Sequence, residues 1–86
     1  MTKSNKRRLA LFSIPPPNNF RWEDLLAIMR DAGFKEACGG GSHYAFEHPS
    51  GYIFHMSKTH PSGILKRYQI NMAKEALQII EGNKND

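Results

Sequence analysis

The chain has 86 residues, 40% of them hydrophobic and 23% charged, with one cysteine and one tryptophan. A chain this short holds a single core and buries roughly 60–65% of its unfolded surface, which excludes a deep multidomain cavity and confines any site to the surface. The formal charge is +4 but uneven: residues 1–8 carry Lys3, Lys6, Arg7 and Arg8 and no acid, and the remainder is balanced.

A basic arm on a neutral body suits a nucleic-acid backbone or an acidic partner, and equally a solubilising tail. The lone Cys38 excludes an internal disulfide and a cysteine-only metal cage. No apolar run approaches the roughly 20 residues that span a bilayer, and the N-terminus has no signal-peptide core. A cytoplasmic protein with no membrane association is the expectation.

In chain order, Leu9-Ala10-Leu11-Phe12 reads as one or two helical turns that dock on the body, within a loosely attached N-terminal segment. Pro15-Pro16-Pro17-Asn18-Asn19 then imposes a stiff, extended connection. Residues 1–19 thus form a basic arm and proline-rich connection, 20–82 the domain proper, and 83–86 a tail. From Trp22 to Ala32 the residues Trp22, Leu25, Leu26 and Met29 mark one face of an amphipathic helix. Glu23 and Asp24 suit its N-terminal dipole, and Gly33 supplies a left-handed cap. Residues 34–38 read as a short strand with Cys38 buried at its end, followed by the loop Gly39-Gly40-Gly41.

Residues 43–48 and 52–57 read as a hairpin. His48-Pro49-Ser50-Gly51 suits a type I turn closed by a glycine bulge. That register sets Tyr44 against Met56, Phe46 against Phe54 and His48 against Tyr52, making one face apolar and aromatic. The other face carries His43, Ala45, Glu47, Ile53, His55 and Ser57. The tetrapeptide recurs as His60-Pro61-Ser62-Gly63, where Ser62 is the expected N-cap of a second helix. Leu65, Tyr68, Met72, Ala73, Ala76, Leu77 and Ile80 form its apolar stripe, which ends at Gly82. The expected architecture is a small α+β domain of order α-β-β-β-α: a three-stranded antiparallel sheet with both helices on its aromatic face.

Gly39-Gly40-Gly41-Ser42-His43 carries the most chemistry. Consecutive glycines let backbone N–H groups converge on an anion, and the histidine that follows can exchange a proton near neutrality. Cleavage of an RNA phosphodiester needs a proton taken from the 2′-hydroxyl, one given to the leaving oxygen, and stabilisation of the phosphate. The same stretch also reads as a flexible loop with a surface histidine. His43, His48, His55 and His60 with Cys38 match no compact zinc spacing, so no metal is expected. His48 suits a turn or edge position. His55 lies diagonally from His43 on the open face, about 7–8 Å away between backbones. Nothing around Ser42 supplies the orienting group a serine nucleophile needs.

Phe20-Arg21-Trp22-Glu23-Asp24-Leu25-Leu26, Gly33-Phe34, Gly41-Ser42-His43-Tyr44-Ala45-Phe46, His60-Pro61 and Ile64-Leu65-Lys66-Arg67-Tyr68-Gln69-Ile70 together resemble the HicA toxins of bacterial toxin–antitoxin pairs, over roughly residues 20–80. The resemblance implies a double-stranded-RNA-binding-domain-like fold and a metal-independent endoribonuclease that cuts mRNA, with no cofactor and with His43 as the catalytic histidine. It implies a HicB-like antitoxin partner, the toxin being monomeric when free and hetero-oligomeric with that partner. Substrate contacts are then expected from Gly40, Gly41, Ser42, His55, Lys58, His60, Lys66 and Arg67, with the arm adding phosphate affinity. The N-terminal extension is longer than in minimal members, and Ser57-Lys58-Thr59 lacks the proline many members have before the later histidine. Two other readings stand beside the nuclease: a non-catalytic RNA-binding module of the same fold, and an inactive toxin that only binds its antitoxin.

Overall fold

A computed structural model describes residues 3–59 and 62–84. The elements run α1 (Lys3–Leu11), α2 (Trp22–Asp31), β1 (Lys35–Gly40), β2 (His43–Glu47), β3 (Ile53–Ser57) and α3 (Arg67–Lys84). The strands form one antiparallel sheet in the order β1-β2-β3. The protein is a small α+β domain with a three-stranded antiparallel sheet, as expected.

Helix α2 buries Trp22, Leu25, Ile28 and Met29. Leu26, expected on the buried stripe, is only half-buried, and Ile28 takes its place in the core. The helix packs on both α1 and β1, so its apolar face is wider than a single stripe. Its end is a complete Schellman motif: Gly33 N–H donates to Arg30 O at 3.0 Å and Phe34 N–H to Met29 O at 2.9 Å, with Gly33 at φ +101°. Two 2.7 Å hydrogen bonds from Arg30 to Glu36 tie the last turn of α2 to β1. These bonds and the carboxylate's charge raise the Arg30 pKa above its ordinary value.

The β2–β3 register pairs Tyr44 with Met56 and Phe46 with Phe54. Gly51, at φ +100°, donates its N–H to His48 O at 2.8 Å, and His48 N–H donates to Tyr52 O at 2.9 Å. The bulged turn is therefore the one the hydrophobic pattern demands. Phe46 and Phe54 stack at 4.9 Å between centroids, and Trp22 meets Tyr44 at 5.2 Å and Phe46 at 6.0 Å. His48 is a structural residue here. Its Nδ1 accepts from Ser50 N–H at 3.1 Å, which leaves Nε2–H to donate to Ala32 O at 3.1 Å.

Four expectations are corrected. The turns at residues 9–12 dock on the body as expected, but the N-terminal segment is not loosely attached: Leu11 is fully buried in the common core. Arg7 pairs with Asp24, Arg8 pairs with Glu81, and Arg8 and Lys74 both lie over the Phe12 ring. Ser62 does not cap α3, because backbone bonds from Leu65 to Phe20 O and from Trp22 to Gly63 O, both 2.8 Å, tie residues 63–65 to the start of α2 around an Ile64–Arg21 bridge. The helix starts at Arg67 and continues past Gly82 to Lys84. Cys38 is exposed, not buried, in an end of β1 that carries only small residues and is exposed from Ala37 to Gly40.

No helix among the described residues is long and apolar enough to cross a membrane.

Candidate functional site

The first hairpin is tighter than a three-glycine loop. Gly39 and Gly40 belong to β1, whose register shifts between Cys38 and Gly40, and the turn itself is Gly41-Ser42. Gly41 has φ +57°, and among the described residues none other than glycine has positive φ. Positive φ at the first turn position and not the second is the signature of a type II′ hairpin. A Cβ on Gly40 or Gly41 would meet nothing within 4 Å. Backbone conformation, and not space, therefore requires glycine here, and both positions border open solvent.

That turn delivers His43 to the first position of β2, exposed on the face of the sheet away from the helices. Ser57 stands directly opposite on β3, its Oγ 3.2 Å from His43 Nδ1. Nε2 is thereby left as the ring nitrogen available to a ligand. A hydroxyl can donate to Nδ1 or accept from it, so the ring keeps this partner whichever tautomer it adopts. His55 stands opposite Ala45, exposed on the same face and diagonal to His43. Lys58 follows Ser57 and extends the ladder, its N–H donating to Ser42 O at 2.8 Å.

A groove of about 540 Å³ takes its lining from both faces of the sheet end, with His43, His55 and Ser57 joined by Cys38, Tyr44, Met56, Tyr68 and Met72. An adjoining groove shares Ser57 and Tyr68 with the first and adds Lys58 and Lys66. His43, Ser42, His55, Lys58 and Lys66 are thus gathered at one end of the sheet. Arg67 is not, because the turn into α3 aims it at a separate groove with Pro16, Pro17 and Asn18. The expected contact at His60 falls outside the described residues. The arm's Arg7 and Arg8 are engaged with acids of the body, which takes them from the role of free phosphate ligands. Among the described residues, no three His, Cys, Asp or Glu side chains cluster as a metal would need.

Comparison with known protein families, curated proteins and solved structures finds no match.

Two contributors escaped the sequence reading. Ser57 had a visible signal, since the hairpin register alone sets it against His43. Gln69 is 1% exposed and joins two elements. Its Oε1 accepts from Lys66 N–H at 2.8 Å, half of a capping box for α3, and its Nε2 donates to Ser57 O at 2.7 Å. Gln69 thereby fixes the end of β3, and with it the partner of His43, against the start of α3.

Proposed function

We propose that the protein is an RNA-cleaving toxin of the HicA type, with a double-stranded-RNA-binding-domain-like fold and His43 as its acid–base residue. The observation that carries this reading is the exposed His43 residue, its Nδ1 held by Ser57 so that Nε2 is the ring nitrogen left to act on a ligand. The order α2-β1-β2-β3-α3 supports the fold assignment, and the run Gly41-Ser42-His43 supports the family.

The chemistry is a transesterification. The 2′-oxygen of a nucleotide attacks the adjacent phosphorus, the bond from phosphorus to the 5′-oxygen breaks, and a 2′,3′-cyclic phosphate and a 5′-hydroxyl remain. The proton that leaves the 2′-hydroxyl ends on the 5′-oxygen, passing through the His43 imidazole or through water that the imidazole activates. Lys58 and Lys66 supply positive charge for the phosphates, and backbone amides of Gly40, Gly41 and Ser42 lie at the rim where the phosphate arrives. A HicB-like antitoxin would neutralise the toxin by covering this face.

Induced expression of the chain without an antitoxin tests the reading. Growth arrest with loss of intact mRNA is expected of the parent and not of His43→Ala. Arrest by a folded His43→Ala variant would overturn it.

A further inference from the structure

Five large apolar side chains are exposed among the described residues: Leu9, Ile14, Ile53, Tyr68 and Ile79. Tyr68 alone is aromatic, and at 57% exposure it gains little from the core. Its place is distinctive, because it lines both the groove that holds His43 and the groove that holds Lys58 and Lys66. Met72, one turn further along α3, lines the first groove with it, as do Tyr44 and Met56 across from the helix. At about 540 Å³ this groove falls in the range of small-ligand sites, roughly 300–1,000 Å³.

An aromatic ring between an acid–base histidine and a lysine-lined channel fits one kind of occupant. A nucleic-acid strand presents alternating anionic phosphates and flat bases, and single-strand binders pair a basic groove with aromatic stacking platforms. In duplex RNA the faces of the bases are covered by their neighbours, so only an unpaired base can lie on Tyr68. Resting on the RNA reading above for the class of ligand, we infer that Tyr68 is the stacking platform for an unpaired base of single-stranded RNA. It sets the substrate class of the His43 site. The base enters the apolar groove against Tyr68 and Met72, and the strand's phosphates run past Lys58 and Lys66.

The test is fluorescence anisotropy with the full chain and a short fluorescein-labelled 2′-O-methyl oligoribonucleotide, whose blocked 2′-oxygens prevent scission. The same oligonucleotide annealed to its complement is the second probe. The single strand binds in preference to the duplex, and Tyr68→Ala weakens single-strand binding by about 5- to 150-fold, the range for loss of one stacked base. Tyr68→Phe stays within about twofold of the parent, because the ring is what stacks. Neither variant moves duplex binding. Unchanged single-strand affinity in Tyr68→Ala overturns the inference and leaves the tyrosine to a protein partner; preference for the duplex, or no RNA binding at all, overturns it too. Tyr68-dependent binding by a chain that cleaves no RNA upholds the platform and sinks the nuclease. Cleavage that needs His43, with binding indifferent to Tyr68, does the reverse.

Discussion

Ser57 Oγ lies 3.2 Å from His43 Nδ1, directly across the β2–β3 ladder, and this contact orients the imidazole to which the proposed chemistry is assigned. A neutral hydrogen bond of this kind contributes roughly 0.5–1.5 kcal/mol. Ser57→Ala is therefore expected to lower kcat for RNA cleavage by about 2- to 12-fold, with KM little changed. Ser57→Thr, which keeps the hydroxyl, restores the rate. A matching loss in both variants would assign Ser57 to the strand's packing alone.

Gln69 is the polar residue on which the site's geometry leans. Replacing it by leucine keeps the volume but leaves Lys66 N–H and Ser57 C=O without their partner. A loss of about 2–4 kcal/mol in urea unfolding is expected for Gln69→Leu. Loss of cleavage beyond what that destabilisation explains would show that Gln69 also positions Ser57.

Leu11 and Arg7 sit four residues apart in the chain and should differ sharply in weight. Leu11→Ala opens a cavity in the core and should cost about 2–5 kcal/mol. Arg7→Ala removes a half-exposed ion pair to Asp24, and solvent screening keeps its cost to about 0–1 kcal/mol. Equal, small effects in chemical denaturation would mean that α1 is not part of the cooperative unit.

Gly41 at φ +57° occupies backbone space that a side chain strains. Gly41→Ala is expected to cost about 1–3 kcal/mol, read from thermal or urea melts, although a Cβ there would touch nothing. A variant as stable as the parent would show that the turn relaxes to another type.

What was legible in the sequence was local. Gly51 and the alternation of Phe46 and Phe54 state the hairpin register without any tertiary knowledge, and Gly33 marks the end of α2. The register in turn places His43 and His55 on one exposed face. What was hidden depends on distant partners. Arg7 and Arg8 look like a free basic arm until Asp24 and Glu81, 17 and 73 residues away, are folded beside them. Ser62 has the chemistry of an N-cap, but the backbone pairing of Gly63 and Leu65 with Trp22 and Phe20 postpones the helix to Arg67. Tyr68 matches the apolar stripe by spacing, yet it falls in the first turn of α3 and is exposed, and the buried stripe runs from Gln69 and Ile70 to Ile80.

Cleavage of labelled RNA in the presence of chelator, comparing the parent with a His43→Ala variant of unchanged circular dichroism, tests the central claim most directly. The parent is predicted to generate new 5′-hydroxyl ends, and the variant to lose about 100-fold or more of that rate, the span of acid–base contributions. New ends formed at the parent's rate by His43→Ala, or none formed by the parent, would contradict the account.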